Sequence, residues 1–582
     1  MKNKIWFLGL PVSIPIGILL SAMYAICAKY IRGFSFKNPG NWGELKQIDY
    51  IVMVLIIIGV ILLYFIMNAF QYVANGKRNF SPFDSSVLDL SQDKMRAQNH
   101  PVSKTYLSDV PDGLTIGRYK RKYVRIPFQE SPEHVLLLGA PGSNKSTILE
   151  NAIIYNFNIK EEFYSAFIMD VKPELSRNSV YEKDPRVRIL NPSSIASIGF
   201  DVYAEFPEGS TDDEIKVLFE TISRTLIVNP GGENSFFYLA SQRILEACLL
   251  FGYRKGWDIV ESIVFAYSTP VPDLITEILE DEEMEKHPKI KNLVRPYADK
   301  DSDAAQDIAM TLQHDLAIFD TDSVQRFFSS KNDNRISAHA LVEGITIFLT
   351  IPDTLLKSYS PVFRMVTQIC LNHILSVEEW KKPWTKPIWF LIDEAGSIGK
   401  IPDLIDGALS RGRSKGLQVT LACQSFSQLE DTYGVSGATS ILNCCKNTVV
   451  LSCNDSKTAK TLSDWCGMYR ETKVSTSSKK GVISGTASEN VSEEYRPCME
   501  ISDIKNLEKD FSVLGFARGD WFLVKKAPFY EIEELNEISK AVQKRNAKFY
   551  PDGQQNSQNN HPKKMGSDSK STNIFNPDNW SR

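Results

Sequence analysis

Residues 133–147 read E-H-V-L-L-L-G-A-P-G-S-N-K-S-T and constrain the fold more than any other stretch of the chain. Val135 to Leu138 form the short apolar run of a buried strand. Six small or turn-forming residues follow, and Lys145 then opens an amphipathic segment. A strand, a tight turn and a helix in this order present backbone N–H groups and the positive end of the helix to an anion. The stretch therefore predicts a phosphate-binding loop.

The loop follows the pattern G-x-x-x-x-G-K-[ST] with one departure, because Asn144 stands where the second glycine is expected. Lys145 is predicted to reach the β- and γ-phosphates of ATP, and the Ser146 hydroxyl to ligate Mg²⁺. Asparagine tolerates the left-handed backbone region well, so we expect the turn to persist, although its side chain adds bulk near the phosphates. Taken alone, the stretch also fits a strand-to-helix turn that contains a lysine. The predicted nucleotide contacts are Gly139, Gly142, Ser143, Asn144, Lys145, Ser146 and Thr147.

Two uncharged apolar runs, Ile5 to Ala28 and Ile51 to Phe70, precede the loop. Each is long enough as a helix to cross a hydrocarbon core of about 30 Å. A cleaved signal peptide is the competing interpretation of the first run, but its apolar stretch is too long and a second run follows at once. We therefore expect residues 1–76 to form a membrane anchor with two transmembrane helices.

The orientation of this anchor rests on the location of ATP. The loop between the two runs is more basic than the N-terminus, so the positive-inside rule by itself would place that loop inside. Two spans leave both termini on one side, however, and a protein that uses ATP needs its body in the cytosol. We therefore predict a multi-pass protein of the cytoplasmic (inner) membrane, with its body in the cytoplasm.

The composition of the chain excludes few classes of protein. The chain has 582 residues, a net charge of −4 and nine scattered cysteines without a C-x-x-C pair. The cysteines are typical of reduced, buried thiols and indicate neither a disulfide framework nor a zinc site. The near-neutral charge does not decide for or against nucleic acid.

Short apolar strands alternate with helices through most of the remaining chain, which predicts an α/β fold. Several of these strands are almost continuously apolar, as in a parallel sheet covered on both faces. The predicted strands are Ser165–Asp170, Val187–Leu190, Ile345–Ile351, Pro387–Ile392, Leu417–Cys423 and Thr448–Ser452, with Phe511–Leu514 and Trp521–Val524 closing the sheet. Residues 469–494 are rich in Ser, Thr, Lys and Gly, which predicts a mobile loop.

One region lacks strand patterns. Residues 208–332 contain long periodic helices, so we interpret them as an all-helical domain inserted between the two parts of the nucleotide-binding domain, residues 77–207 and 333–546. The insertion explains why the two halves of the predicted site are far apart in sequence. Residues 547–582 are too polar to form a core and are predicted to be a disordered tail.

The strand PIWFLI ends in Asp393 and Glu394. Next to a phosphate loop, Asp393 is expected to hold the Mg²⁺ shell through water or Ser146, and Glu394 to polarise the attacking water. The alternative is that the two acids only cap the strand. Their joint occurrence with the phosphate loop favours the nucleotide site.

Two further candidates surround the next strand. Gln424, at the end of that strand, is placed to sense the γ-phosphate or the attacking water, with a capping role as the alternative. Arg411 and Arg413 precede the strand, where either arginine is a candidate to reach the nucleotide of a neighbouring subunit. A solvated basic loop explains the arginines equally well.

Several segments together resemble the coupling ATPases of type IV secretion and conjugation, the TraG/TraD class. They are the two apolar runs, LLLGAPGSNKST, FIMDVKPEL, WFLIDEAGSIGKIPDL, GRSKGLQVTLACQS with SQL and YG after it, and RPCMEISDI. Each motif is modest, but their order and spacing are specific, and the resemblance extends from the first run to about Tyr530. It implies a RecA-like P-loop nucleotide domain with an inserted all-helical domain, and homo-hexamers with ATP sites between subunits. By motif position it also implies that Arg413 is the arginine finger.

The resemblance further implies partners. Such proteins recruit a relaxase-bound DNA strand (the relaxosome), or a secreted protein substrate, to the ATPases and membrane components of a type IV secretion channel. Two alternatives remain open from the sequence. One is a membrane receptor that binds ATP but hydrolyses it weakly or not at all. The other is an FtsK-like DNA translocase, which has the same kind of ATPase domain and moves a different cargo.

Overall fold

The computed structural model describes residues 54, 88–89, 104–128, 132–206, 210–298, 302–477, 488–507, 511–516 and 521–549. The chain divides into two compact units, Met1–Ser86 and Val87–Arg582. The two apolar runs, apart from Val54, and the tail from residue 550 onward lie outside the described residues. No helix within the described part of the chain has the length and apolar character needed to cross a membrane.

The second unit contains most of the strands and helices. The strands are β1 (Leu88–Asp89), β2 (Leu107–Ser108), β3 (Leu114–Tyr119), β4 (Lys122–Ile126), β5 (Val135–Leu138), β6 (Ser165–Val171), β7 (Val187–Leu190), β8 (Gly199–Phe200), β9 (Arg335–Ile336), β10 (Thr346–Ile351), β11 (Ile388–Ile392), β12 (Leu417–Cys423), β13 (Asn447–Val450), β14 (Met468–Ser477), β15 (Ser488–Pro497), β16 (Phe511–Phe516) and β17 (Trp521–Lys526). The α-helices are α1 (Lys145–Asn158), α2 (Glu174–Ser179), α3 (Asp212–Leu226), α4 (Ser235–Arg254), α5 (Ile259–Ser268), α6 (Val271–Glu280), α7 (Pro288–Val294), α8 (Ser302–Leu316), α9 (Asp322–Phe328), α10 (His339–Val342), α11 (Leu356–Ser376), α12 (Phe426–Cys444), α13 (Ser456–Cys466), α14 (Ile501–Lys505) and α15 (Glu533–Asn546).

Twelve of the described strands form one sheet in the order β2-β4-β3-β17-β16-β13-β5-β12-β11-β6-β10-β7. The seven strands from β13 to β7 are parallel to one another. From β16 outward the pairing is antiparallel, and β16 and β17 join the sheet as expected from their sequence. The predicted α/β class with a parallel sheet is confirmed.

The sheet has a hydrophobic core on each face. Leu136 and Leu138 of β5 belong to one core, and Val135 and Leu137 to the other. Successive side chains of a strand point to opposite faces, so an uninterrupted apolar strand requires cover on both sides. Helix α1 covers the face of Val135, whereas the core on the face of Leu136 continues into the helices that follow residue 210.

Helices α3 to α9 occupy Asp212 to Phe328, and no strand is found among the described residues of that range. A capping box starts this helical segment: Thr211 accepts from the backbone N–H of Glu214, and the Glu214 carboxylate accepts in return. The short strands β8 and β9 precede and follow the segment and pair in parallel. The two connections between the helical segment and the sheet therefore run side by side.

The prediction of a mobile loop at residues 469–494 was wrong for residues 469–477 and 488–494, whereas residues 478–487 lie outside the described residues. Strands β14 and β15 form an antiparallel pair whose register runs from Met468 opposite Pro497 to Ser477 opposite Ser488. In the sequence of β14 every second residue from Thr472 to Thr476 is β-branched, and β-branched residues favour extended backbone. The abundance of Ser and Lys concealed this alternation.

Candidate nucleotide site

The phosphate loop is held by the ends of the neighbouring strands. The Gly139 N–H donates to the carbonyl of Cys423 at 3.1 Å, and the Ala140 N–H donates to the Ser452 hydroxyl at 2.9 Å. A Cβ at Gly139 would lie 2.3 Å from the Ser143 hydroxyl oxygen, so this position has no room for a side chain. The loop then turns through Gly142, at a φ of 78°, and enters α1 at Lys145.

Asn144 adopts the conformation that the missing glycine would have taken. Its φ and ψ are 72° and 29°, in the left-handed region that asparagine reaches more easily than most residues. The side-chain amide donates to the Tyr530 hydroxyl at 3.3 Å, and the carbonyl accepts from Thr147 Oγ1 and from the backbone N–H of Ile148. The expectation that the turn persists without glycine is therefore confirmed.

The strand order brings together residues that are remote in the chain. β12 lies between β5 and β11, so the carboxyl ends of all three meet at one edge of the sheet. Lys145 Nζ lies 3.2 Å from Glu394 Oε1, and Gln424 Nε2 donates to Glu394 Oε2 at 3.2 Å. The Lys145 side chain is only 8 % exposed and that of Glu394 19 %, so this ion pair is largely shielded from water.

Asp393 is buried directly beside this pair, with 4 % of its surface exposed. Burial first, and then the neighbouring charge of Glu394, raise the pKa of Asp393 to about 7, although Lys145 acts in the opposite direction. Its carboxylate accepts the backbone N–H of Glu394 at 3.1 Å. The raised pKa means that the surrounding protein does not fully compensate the negative charge of this buried carboxylate. The electrostatics of this position therefore favour a bound cation.

Asp170 is the residue before the last in β6, the strand that neighbours β11 in the sheet. The carboxyl ends of parallel strands are where α/β sheets bind ligands. The Asp170 oxygens accept from the backbone N–H groups of Leu175 and Ser176 and from the Ser176 hydroxyl, at 3.0, 2.8 and 2.7 Å. These bonds fix the start of α2, which gives Asp170 a structural role.

Two residues at the loop were missed by sequence reasoning. Lys526, at the end of β17, is 3 % exposed and donates to the carbonyls of Leu451 at 2.6 Å and Ser143 at 3.4 Å. Tyr530 holds the Asn144 amide. Lys526 belongs to the antiparallel part of the sheet, and Tyr530 lies in the 3₁₀ helix Phe529–Glu531 that follows it. Both are more than 380 positions beyond the loop, and no local pattern marks them.

The two arginines are not part of this constellation within one chain. Arg411 and Arg413 are exposed and precede β12, whereas the phosphate loop and Gln424 lie at its far end. Seven residues of extended strand span roughly 20 Å. The positive charge of Arg413 instead contributes to lowering the pKa of His134, which burial lowers first, at the start of β5.

The strand order, with one strand between the phosphate-loop strand and the strand that ends in Asp393 and Glu394, defines a P-loop protein of the RecA-like α/β class. Residues 86–561 match the model of the family described as type IV secretory system conjugative DNA transfer. The chain belongs to this family and is a type IV secretion coupling protein. The resemblance inferred from the sequence motifs is confirmed.

Curated relatives agree with this assignment. The chain is 24 % identical over 322 residues to the type IV secretion system-coupling protein VirD4 of Bartonella quintana, covering 53 % of this chain and 49 % of VirD4. It is 33 % identical over 86 residues to the coupling protein TraD of Escherichia coli K12, covering 15 % and 11 % of the two chains. The chain thus spans about half the length of the VirD4 relatives that it matches.

Solved structures show the same fold. The unbound form of the bacterial conjugative coupling protein TrwBdeltaN70 superposes with a TM-score of 0.54 at 19 % identity, covering 76 % of this chain and 92 % of TrwB. TrwB in complex with the ATP analogue ADPNP gives 0.55 at 18 % identity, over 76 % and 92 % of the two chains. TrwB in complex with ADP and Mg²⁺ gives 0.52 at 18 %, over 76 % and 93 %.

Proposed function

We propose that this chain is a membrane-anchored ATPase that recruits a DNA–protein or protein substrate and delivers it to a type IV secretion channel, powered by ATP hydrolysis. The observation that carries the proposal is the shielded contact of Lys145, Glu394 and Gln424 beside the phosphate loop. The complexes of TrwB with ADPNP and with ADP and Mg²⁺ support the same ligands here.

The ion pair suggests how nucleotide binding prepares the site for hydrolysis. Lys145 forms an ion pair with Glu394 at 3.2 Å. A γ-phosphate near Lys145 would replace Glu394 as its partner, since phosphate and carboxylate compete for the same ammonium group. Glu394 would then be released to orient the attacking water, while Gln424 already contacts its second oxygen. Lys145 thus keeps Glu394 from acting as a base until ATP binds.

The residues present also fit Mg²⁺. Asp393 is a buried carboxylate with a raised pKa, and Ser146 offers a hydroxyl in the first turn of α1. Oxygen ligands of this kind, completed by water and phosphate, are those that Mg²⁺ prefers. When bound there, the ion supplies charge compensation for the phosphates.

A mating assay tests the proposal. Lys145→Ala is expected to abolish DNA transfer because it removes the phosphate contact. Glu394→Gln is expected to retain ATP while hydrolysis falls by about 10²–10⁴-fold, the usual contribution of a positioned general base. Lys357→Ala and Glu379→Gln, at exposed positions of the same residue types, serve as matched controls and should transfer normally. Normal DNA transfer by both Lys145→Ala and Glu394→Gln would contradict the proposal that ATP hydrolysis powers transfer.

The alternative is a membrane receptor that binds ATP without turning it over, and Asn144 is the observation that favours it, because an amide side chain stands where the family pattern has none. An FtsK-like DNA translocase is the third possibility. If single-stranded DNA is the cargo, its binding should weaken steeply with salt. Membrane insertion through residues 1–76 and assembly into a homo-hexamer, with Arg413 reaching a neighbour's nucleotide, complete the proposal.

A further inference from the structure

Glu205, His339 and His373 meet at the place where the helical segment joins the sheet. None of the three is a residue of the nucleotide site, and none has an assigned role. Glu205 ends a short 3₁₀ helix, Tyr203–Glu205, that precedes the segment, His339 opens α10, and His373 lies in the last turn of α11. One ligand atom from each of the three lies within 4.8 Å of the other two.

The hydrogen bonds within this group leave buried atoms without partners. His373 Nδ1 lies 2.7 Å from Glu205 Oε2, and His339 Nε2 lies 3.7 Å from Glu205 Oε1 and 3.0 Å from the Ala204 carbonyl. Glu205 Oε1 and His373 Nε2 are buried and have no hydrogen-bond partner in the protein. The Glu205 side chain is 10 % exposed and that of His373 11 %, so water reaches neither freely.

No protonation state of His373 removes this deficit. A neutral ring that donates from Nδ1 to Glu205 leaves Nε2 as a buried acceptor without a donor. A doubly protonated ring leaves Nε2–H as a buried donor without an acceptor. An unpaired buried polar atom is unfavourable, typically by about 1–3 kcal/mol. A cation bound at the Glu205 carboxylate, between His373 and His339, would give Glu205 Oε1 the partner that it lacks.

We propose that Glu205, His339 and His373 bind a divalent transition metal ion, Zn²⁺ in the first instance. Two imidazole nitrogens and one carboxylate oxygen are the donors that Zn²⁺ takes, whereas Mg²⁺ and Ca²⁺ prefer sets made entirely of oxygen. Ligand atoms in a tetrahedral zinc site are roughly 3.4 Å apart, so the three side chains need only small rotations from the present arrangement. His339 exchanges the Ala204 carbonyl for the ion, and water fills the fourth position.

The position of the site defines its role. Glu205 lies on the connection that leads into the helical segment and His339 on the connection that leads out, next to the paired strands β8 and β9. His373 belongs to α11, whose buried side chains lie in the same core as Leu136 and Leu138 of the sheet. The ion therefore fastens both connections to the same helix and restricts movement of the helical segment at its base. Because its ligands come together only on folding, the ion stabilises the folded chain.

Zinc titration of the full chain tests the proposal. The protein is purified without a polyhistidine tag, freed of metal and titrated with Zn²⁺ against a chromophoric chelator in excess Mg²⁺. We expect one equivalent per chain, and a loss of affinity of more than about 100-fold in His339→Ala and in His373→Ala, because even the loss of an outer-shell partner costs 10–100-fold. His314→Ala, which removes an 87 % exposed histidine of the helical segment, should bind like the unchanged protein.

Two further measurements separate this site from adventitious binding. Co²⁺ at the site should show a visible absorption band without the thiolate charge-transfer band that cysteine ligation produces. Zn²⁺ should raise the unfolding midpoint of the unchanged chain and of His314→Ala, and leave that of His339→Ala unchanged. His339 is 46 % exposed, so the fold should tolerate its replacement. If His373→Ala fails to fold, the zinc affinity of His339→Ala tests the site. Absence of stoichiometric zinc, equal binding by His339→Ala, or a thiolate band would overturn the proposal.

Discussion

Replacing Asp393 with asparagine should stabilise the nucleotide-free chain at neutral and alkaline pH, while it removes the predicted magnesium ligand. The carboxyl group is buried beside Glu394, and its pKa rises from 3.8 to about 7 in the folded protein. In that interval the folded state holds a proton that the unfolded state has lost. The free energy of unfolding therefore falls as pH rises from about 4 to about 7. Asparagine has the same shape and does not ionise.

The magnitude follows from the pKa. The full difference between 3.8 and about 7 corresponds to about 4 kcal/mol, since each pKa unit is worth about 1.4 kcal/mol. Between about pH 5 and about pH 8 the ionisation penalty grows by about 3 kcal/mol. A cooperative unit of roughly 450 residues has an unfolding entropy of about 0.9 kcal/mol/K, so this change corresponds to about 3 °C in the midpoint.

Thermal unfolding of the full chain at these two pH values, with divalent cations chelated, measures the effect. The midpoint of Asp393→Asn should rise relative to that of the unchanged chain by about 3 °C more at pH 8 than at pH 5. Asp406→Asn, an exposed aspartate of the neighbouring π-helix Leu404–Leu409, should show no such pH dependence. Magnesium with an ATP analogue should then stabilise the unchanged chain more than Asp393→Asn, because the cation compensates the carboxylate.

A midpoint difference that is the same at both pH values would refute the reasoning, because the charge of Asp393 would then contribute nothing to the stability of the folded state. A difference that shrinks as pH rises would contradict the assigned direction of the pKa. Equal stabilisation of both proteins by magnesium and nucleotide would remove Asp393 from the metal site.

Two more substitutions address the phosphate loop and the basic loop. Asn144→Gly should keep the left-handed turn and nucleotide binding, and Asn144→Val should destabilise the loop by about 1–2 kcal/mol and weaken binding, as calorimetry can measure. If the unchanged chain does not hydrolyse ATP and Asn144→Gly does, the receptor alternative is favoured. Arg413→Ala should retain nucleotide binding and lose turnover only in the assembled oligomer. Activity regained by mixing Arg413→Ala with Glu394→Gln subunits would support an arginine finger between subunits, and full activity of Arg413→Ala alone would exclude it.

Sequence reasoning succeeded where local patterns carry the information. The strand, turn and helix around Lys145 are recognisable from apolar and small residues within fifteen positions, and the structure has them at the expected places. The strand before Asp393 is apolar throughout because both of its faces are covered. The left-handed conformation of Asn144 was expected from the residue type alone.

The failures have a common physical origin. The pair β14–β15 was mistaken for a mobile loop because its composition is polar, although strand pairing depends on backbone bonds as well as on apolar side chains. Lys526, at the end of β17, and Tyr530, in the 3₁₀ helix that follows, support the phosphate loop from a distant part of the chain.

By itself the sequence determined the α/β class, the phosphate loop, the acidic strand end and the family, because these depend on short-range periodicity and on motif order. Only the tertiary structure decided which of these groups touch. The insertion of β12 between β5 and β11 sets Glu394 against Lys145 and Gln424, and it leaves Arg413 at the opposite edge of the sheet. The cluster of Glu205, His339 and His373 likewise exists only in three dimensions. Contacts between remote segments follow from strand order and packing, which no local pattern of residues encodes.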